Sequence, residues 1–248
     1  MQTIDVRNQH NLYWKKIVLL IGVFVLCLST VSQAQRTRWV QKNNPNYDDR
    51  KFTYGFLIGI HSSSYRVKYS DRFVTPAFDT VYSVDAKWSP GFALGFIVNY
   101  KLADFFDLRL TPSVAFLENK LTYRFTDETK THEEVVETSM VEIPLLLKYK
   151  SERRGNVRMY MIGGVKPSIE VSGKKQEENV TGSLEVTGSN LSLDFGFGFD
   201  LYYPLFKFSP EIRFSKGMVD ILDNKNNSLG QPLNRLSTNT ITVYFLFQ

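Results

Sequence analysis

The chain of 248 residues is 43% hydrophobic, 14% aromatic and 22% charged, which is typical of a folded protein and unlike a disordered one. Thirty Lys and Arg face 25 Asp and Glu, a formal net charge of +5, so there is no polycationic arm of the kind that binds nucleic acid. A single cysteine excludes a disulfide framework, a four-thiolate zinc site and a Cys-x-x-Cys redox motif. The slightly negative mean hydropathy argues against a polytopic helical membrane protein, but alternating strands of a membrane barrel would give the same average.

The first segment of the chain is predicted to be a secretory signal peptide. Lys15 and Lys16 precede an apolar run over residues 17–29, and the small-x-small site that ends in Ala34 follows it. We expect cleavage after Ala34. The alternative of an uncleaved anchor is weaker, because the run is shorter than the ~20 residues that cross a bilayer. The cysteine, Cys27, lies inside this run and would leave with it.

From residue 35 onward, apolar and polar residues alternate in blocks of about ten instead of following a helical period. Residues 52–60 place large apolar side chains on one face and Gly55 and Gly59 on the other. Residues 191–201 repeat the design, with Leu and Phe opposite Ser, Asp and Gly. Eight such blocks predict an all-β fold of eight antiparallel strands.

The predicted connections between these strands alternate between long and short. An even number of strands with this alternation is typical of a transmembrane barrel of the bacterial outer membrane, whose short turns face the periplasm. The expected organisation is a signal peptide over residues 1–34, a periplasmic N-terminal segment over 35–51 and the barrel over 52–248. The long connections are predicted at residues 62–90, 119–138, 170–188 and 217–237, and the short ones at 102–105, 150–156 and 204–205.

The alternative to a membrane barrel is a soluble up-and-down barrel of the lipocalin type, whose apolar face points inward. Glycines and charges of both signs make up the polar face here, which suits a narrow, filled lumen. Buried charges must be paired, so we predict a structural network of salt bridges instead of a water-filled pore. Its central members are Arg109, Glu142, Lys148, Asp194, Asp200, Lys207, Glu211 and Arg213, and parity adds Asp107, Arg158 and Lys166.

Two further patterns concern the ends and the interior of the strands. Aromatic residues cluster near the short turns and the termini, which predicts a girdle at the periplasmic rim. Prolines at three mid-strand positions remove ladder hydrogen bonds, and we expect bulges there. The prolines are Pro112, Pro144 and Pro210, and the girdle residues are Phe52, Tyr100, Phe105, Phe106, Tyr149, Tyr203, Phe206, Phe245 and Phe247.

Candidate catalytic and metal-binding residues are few. His61 is expected at the outer rim where the first strand ends, and His132 in the second long loop beside glutamates, where a solvated loop is the simpler interpretation than a metal site. No Ser-His-Asp spacing and no glycine-rich phosphate loop stands out. Asp194, Asp200 and Glu211 resemble paired catalytic carboxylates, but neighbouring cations favour a structural network. We therefore predict no enzymatic activity, no cofactor and no metal.

Several segments of the chain carry recognisable strand motifs, namely residues 141–149 (VEIPLLLKY), Gly163-Gly164 and residues 209–218 (SPEIRFSKGM). These motifs resemble the broad family of Bacteroidetes outer-membrane barrels that is named after PorT. Residues 46–59 (NYDDRKFTYGFLIG), together with 89–95 and 108–112, are similar to the PorT/SprT proteins themselves. The resemblance covers essentially all of residues 46–248.

This resemblance implies a role in type IX secretion, which exports proteases and adhesins across the outer membrane and in some species supports gliding motility. The implied role is that of a non-enzymatic accessory or assembly component, with outer-membrane lipid and other secretion components as partners. The alternative function is that of a surface adhesin or a small solute channel of the general outer-membrane barrel family.

Overall fold

The computed structural model describes residues 42–74, 81–125, 131–171, 186–223 and 232–248. The predicted signal peptide and the first residues of the predicted periplasmic segment lie outside these ranges. The described part of the chain contains two short 3₁₀ helices, Tyr47–Asp49 before the first strand and Asp71–Val74 after it. Within the described ranges, no helix is long and apolar enough to span a membrane.

In the residues that the structure describes, eleven strand segments make up one sheet. They are β1 (Phe52–Tyr69), β2 (Val81–Lys87), β3 (Ser89–Lys101), β4 (Phe106–Leu110), β5 (Ser113–Phe125), β6 (Thr131–Glu142), β7 (Leu145–Lys150), β8 (Val157–Glu170), β9 (Ser189–Tyr202), β10 (Lys207–Gly217) and β11 (Leu233–Phe247).

These segments form a closed ring of eight antiparallel strands. β2 and β3 together make the second strand of the ring, β4 and β5 the third, and β6 and β7 the fourth. Each strand pairs with its neighbours in sequence, and β1 pairs with β11 from Phe56↔Phe247 onward to close the barrel. The predicted eight-stranded antiparallel barrel is therefore confirmed.

The exterior of the barrel carries a continuous band of large apolar side chains, which we call the apolar belt. A soluble protein would not leave such a large apolar surface in water, whereas a membrane barrel turns it toward lipid. The lipocalin-type alternative, with its apolar face inward, does not fit this arrangement. The belt consists of Phe56, Ile58, Ile60, Phe92, Leu94, Phe96, Val114, Phe116, Leu145, Leu147, Met159, Met161, Val165, Leu191, Leu193, Phe195, Phe197, Phe199, Phe214, Ile241 and Val243.

Aromatic rings lie beside this belt near the short turns. Phe52 contacts Tyr100 with ring centroids 4.9 Å apart, and Phe106 contacts Tyr149 at 5.2 Å. Tyr203 stacks on Phe206 at 4.9 Å in the turn between β9 and β10. Such paired rings at one end of the strands have the placement of an interfacial girdle.

Strands continue past the apolar belt into three regions that were predicted to be long loops, and in one of them β11 begins at Leu233, inside the predicted connection 217–237. β1 runs to Tyr69 and β2 occupies 81–87, within the predicted connection 62–90, and β5 and β6 fill most of 119–138. A strand of 18 residues exceeds the 9–11 that cross a bilayer, so β1 projects beyond it. We call the projecting part the outer extension, made of residues 62–69, 81–87, 118–125, 131–139 and 233–239.

The three mid-strand prolines do not shift the strand register. The pairing of β5 with β6 and of β4 with β7 keeps one register across Pro112 and Pro144. The proline carbonyls stay in the ladder, since the Phe96 N–H donates to Pro112 O at 2.9 Å and the Thr111 N–H to Pro144 O at 3.2 Å. Pro210 likewise pairs with Phe245 in register. The expected bulges are absent from these positions, and described register shifts lie in the outer extension, at Lys68/Tyr69 and Val81/Ser83.

Candidate functional site: the charged interior of the barrel

The side chains predicted to line the lumen all lie inside the barrel. The eight central residues come from five strand segments, and they share the inner face because alternate residues of a strand point to the same side. Arg109 is on β4, Glu142 on β6, Lys148 on β7, Asp194 and Asp200 on β9, and Lys207, Glu211 and Arg213 on β10, and each is at most 5% exposed. Asp107, Arg158 and Lys166 are buried as well.

One carboxylate at the centre of the barrel holds two guanidinium groups. Glu211 Oε2 accepts from Arg109 Nη1 at 2.7 Å, and Glu211 Oε1 accepts from Arg213 Nη2 at 2.6 Å. The Tyr160 hydroxyl donates to Glu211 Oε2 at 2.8 Å, and Asn99 Oδ1 accepts from Arg109 Nε at 2.7 Å. Charge-assisted hydrogen bonds of this kind compensate the desolvation of buried charges.

A second group of charges surrounds Asp200, nearer to the short turns. Asp200 Oδ2 accepts from Lys148 Nζ at 2.6 Å, and Asp200 Oδ1 accepts from the Ser209 hydroxyl at 2.7 Å. Lys207 Nζ lies 4.0 Å from Asp200 Oδ1. Lys148 Nζ also sits 3.8 Å from the centroid of the Tyr160 ring, a cation–π contact that joins this group to the Glu211 group.

A third group lies toward the outer extension. Glu142 Oε1 accepts from Lys166 Nζ at 2.8 Å. Asp194 is held at a longer distance, with Oδ2 3.6 Å from Arg213 Nη1. The structure therefore brings all eight central residues into three adjoining groups, linked through Arg213 and Lys148.

His61 lies deeper than the sequence indicated. It was expected at the outer rim, but β1 continues to Tyr69, and His61 is buried inside the barrel and 4% exposed. Gly91 provides the room for its ring, because a Cβ built on Gly91 would lie 2.3 Å from His61 Cε1. His132 is on β6, not in a loop, and its Nε2 lies 3.1 Å from Glu134 Oε2.

Several ion pairs at the short-turn end were not predicted, and two of them involve predicted lumen residues, Asp107 and Arg158. Lys150, which had been assigned to a connection, is the last residue of β7 and donates to Asp107 Oδ1 at 2.6 Å. Asp48, from the segment before the barrel, accepts from Arg158 Nη1 at 3.0 Å and from the Tyr202 hydroxyl at 2.8 Å.

The segment that carries Asp48 covers this end of the barrel. Tyr47 is buried against the Tyr202 ring, with centroids 5.9 Å apart, and burial raises the pKa of Tyr47 to about 12. The Asn43 side chain donates to Tyr202 O at 3.0 Å, and Arg153 donates to Asn43 O. The sequence signal for this contact is weak. It consists of two acidic residues, Asp48 and Asp49, and of three arginines of opposite charge at positions 153, 154 and 158.

The interior of the outer extension is apolar and was also missed. Tyr65, Leu121, Tyr123 and Leu236 are at most 6% exposed and pack in one cluster. The sequence signal for these strands was the alternation of apolar and polar residues in 64–69 and 119–125. In this region, however, the apolar residues point inward instead of outward. The remaining buried members are Val81, Val84, Val136, Ile221, Leu222 and Leu233.

These two layers close the interior. A side chain lining an open water channel would be accessible to water, whereas Arg109, Lys148, Asp200, Glu211 and Arg213 are at most 1% exposed. Between the charges and the apolar cluster lies a cavity of about 40 Å³, lined among others by Ser63, Asn119 and Thr240. Such a volume accommodates one or two water molecules and no larger solute. Among the described residues, no group of three His, Cys, Asp or Glu side chains is placed to hold a metal ion.

Comparison with known proteins supports this architecture. The family model for the outer membrane protein beta-barrel domain matches residues 33–223. The chain belongs to this family. The barrel is therefore a protein of the bacterial outer membrane, and its apolar belt contacts membrane lipid. No curated protein sequence matches the chain.

Comparison of the chain with solved structures finds small outer-membrane barrels. The chain is similar to the outer membrane protein OprG of Pseudomonas aeruginosa, with 14% identity over 78% of this chain and 93% of that one, and a TM-score of 0.43. Neisserial surface protein A is 10% identical over 77% of this chain and 95% of that one, with a TM-score of 0.39. The attachment invasion locus protein Ail of Yersinia pestis is 13% identical over 78% of this chain and 96% of that one, with a TM-score of 0.32.

Proposed function

We propose that the protein is a closed, non-enzymatic outer-membrane barrel that acts as an accessory or assembly component of the type IX secretion system. The observation that carries the first part is the filled interior, where Glu211 binds Arg109 and Arg213 and Asp200 binds Lys148 with no room for a solute. The assignment to type IX secretion rests on the resemblance of residues 46–59, 89–95 and 108–112 to the PorT/SprT proteins.

A filled barrel restricts how the protein can contribute to export. An eight-stranded barrel is just wide enough for its own side chains, so it does not conduct a folded protein. Its contribution must then come from its surfaces, which are the outer extension, the short turns with the segment before β1, and the lipid-facing wall. This argument favours a scaffold or assembly factor over an export conduit.

The absence of enzymatic activity is part of the same proposal. Groups that could act as acids or bases, such as Glu211, Asp200 and Lys148, are bonded to each other and reach no solvent. A catalytic group must lie within hydrogen-bond reach of its substrate. The interior charges therefore support a structural role, and replacing the two histidines, His61 and His132, by alanine is expected to leave secretion unchanged.

Deletion of the gene tests the secretion role. In the deletion strain we expect exported proteases to accumulate in the periplasm with their sorting domains uncleaved, and restoration when the wild-type gene is supplied. The abundance of unrelated outer-membrane barrels serves as the control for a general assembly defect. Normal protease export in the deletion strain would refute the proposal.

Site-specific photo-crosslinking tests where partners bind. Leu205, in the short turn before β10, and Tyr82, in the outer extension, are strongly exposed, and Phe96 of the apolar belt is a matched exposed control. We expect at least one of the first two positions to crosslink to a secretion component, and Phe96 to crosslink to lipid. Crosslinks to lipid alone at all three positions would contradict an accessory role.

A further inference from the structure

Four cationic side chains meet at the outer end of three adjoining strands. Arg66 and Lys68 are on β1, Arg235 is on β11, and Lys216 is near the end of β10. All four are exposed, and together they line one surface depression with Met218. Lys68 and Arg235 are direct cross-strand partners. We call these four residues the basic patch.

The basic patch contains cations without anions. Among the residues that the structure describes, none of its four side chains has a carboxylate partner, and Arg235 donates to the carbonyl of Met218. Like charges directly opposite each other on neighbouring strands are destabilising. An anion bound between Lys68 and Arg235 would offset this repulsion.

The other side of the outer extension has the opposite character. Its cations lie on β2 and β5, at a similar distance beyond the apolar belt, and each has a carboxylate within 4 Å. The pairs are Lys87–Glu133 at 3.2 Å, Lys120–Glu118 at 2.6 Å and Arg124–Asp85 at 3.6 Å. Among the described residues, the lack of carboxylate partners is thus local to the outer ends of β1, β10 and β11, and it is not general to the extension.

The position of the basic patch relative to the apolar belt suggests its ligand. Lys216 is two residues beyond Phe214, and Arg66 and Arg235 are each six residues from the last belt residue of their strand, Ile60 or Ile241. With a rise of about 3.3 Å per residue and a tilt of about 40°, these cations lie roughly 5–15 Å past the edge of the belt. Long cationic side chains at this height reach back toward the interface. The headgroup region extends about 5–8 Å beyond the hydrocarbon core, so Lys216 lies within it, and the side chains of Arg66 and Arg235 must reach back to it.

We propose that the basic patch binds the phosphate groups of an anionic lipid in the leaflet that surrounds the outer end of the barrel, with the acyl chains against Phe214 and Ile241. Guanidinium and ammonium groups form charge-assisted hydrogen bonds with phosphate oxygens, and clusters of four or more cations beside a membrane segment attract anionic lipids. The site is independent of the proposed role in secretion, because it rests on the barrel and its charges alone.

Native mass spectrometry of the full protein, purified from membranes in detergent, tests this site. The probes are diphosphoryl lipid A, the same lipid with its phosphates removed, and inorganic phosphate. The test variant is Arg66→Gln/Lys68→Gln/Lys216→Gln, and the control variant Lys87→Gln/Lys120→Gln/Arg124→Gln removes three cations from the opposite side. The electrophoretic shift between folded and heated barrel verifies that each variant folds.

We expect the test variant to bind diphosphoryl lipid A about a hundredfold more weakly, at roughly fivefold per cation, and the control variant to bind within about threefold of the wild type. The wild-type protein should prefer the phosphorylated lipid, and inorganic phosphate should not displace it at equal concentration. Equal loss in both triple variants, equal binding of the dephosphorylated lipid, or displacement by equimolar phosphate would each overturn the proposal. If the test variant does not fold, the salt dependence of lipid binding by the wild-type protein tests the proposal instead. Raising the salt concentration from 0.05 to 0.5 M must weaken binding through screening, and unchanged binding would contradict the proposal.

Discussion

The membrane-spanning wall and the outer extension belong to the same strands, yet they distribute their side chains in opposite ways. Along β1, Phe56, Ile58 and Ile60 point outward in the wall, whereas Tyr65 and Val67 point inward in the extension. Residues still alternate between the two faces with a period of two, but the apolar residues change from the outer face to the inner face. The polarity of the outward residues matches the medium that they contact, which is lipid around the wall and water around the extension.

The same change of surroundings explains the polarity of the inward residues. Within the wall, the interior holds charges that must be paired, such as Arg109 with Glu211. Within the extension, the interior is the place where apolar side chains leave water, as in a small soluble barrel. The two regions close one barrel by two different interactions, and variants can test each separately.

The largest effect is expected from Glu211→Gln, which leaves Arg109 and Arg213 buried without their carboxylate. Breaking a buried pair in this way costs about 3–5 kcal/mol of the free energy of unfolding. Urea unfolding in phospholipid vesicles measures it. Glu118→Gln, which breaks the partly exposed pair with Lys120, is the control and should leave the free energy of unfolding nearly unchanged. A similar cost for both variants would show that the interior network is not structural.

Leu121→Ala tests the apolar interior of the outer extension. The side chain is fully buried, so its truncation should cost about 2–5 kcal/mol, and we expect the loss to be confined to the extension. Hydrogen exchange should rise for the amides of β2 and the outer half of β5. The amides of residues 195–199, in the wall, should keep their protection. A uniform rise over the whole barrel would contradict the separation of the two regions.

Introducing lysine on the exterior compares the two surroundings directly. Phe195, in the apolar belt, is 54% exposed, and Val135, in the outer extension, is 45% exposed, so their accessibility is similar. Phe195→Lys should cost about 2–4 kcal/mol because the charge enters lipid. Val135→Lys should cost clearly less, because it enters water, where solvent and salt screen the repulsion from Lys120, its cross-strand partner. Equal midpoints in the urea titrations of the two variants would refute the inversion of polarity.

The sequence predicted the wall well and the extension poorly, for one physical reason. Alternation shows which residues share a face, and in the wall the glycines and paired charges of one face mark it as the interior. Beyond residue 62 the apolar residues Tyr65 and Val67 move to that interior face, so the rule that apolar residues point outward no longer holds. Those residues were therefore assigned to loops.

The partners of the interior charges could not be predicted either. Parity places Arg109 and Glu211 in the interior, but they are 102 positions apart in sequence, and the strand tilt and stagger decide which charges meet. The contacts of Asp48 could not be predicted for a different reason. Asp48 precedes the first strand, so no alternation of residues shows where its side chain points. Its contacts with Arg158 and Tyr202 depend on the turn of the 3₁₀ helix Tyr47–Asp49.

The smallest effect is expected at the short-turn end, with Asp48→Asn. Asp48 is partly exposed, so the weakened contacts with Arg158 and Tyr202 should cost about 1 kcal/mol or less. The segment before β1 should then detach more often, and trypsin should cleave after the exposed Arg50 several times faster. Asp49→Asn, at the neighbouring exposed position, is the matched control. Equal cleavage rates in both variants would show that Asp48 does not hold the segment.

The central claim is that the barrel is closed by its interior charges and by the apolar cluster of the outer extension. Single-channel recording of the purified protein in a planar bilayer tests this most directly. The structure predicts no ion steps for the wild-type barrel, because Arg109, Glu211 and Arg213 leave no water-accessible passage. Stable, reproducible conductance steps from the folded wild-type protein would contradict the claim and favour a small solute channel.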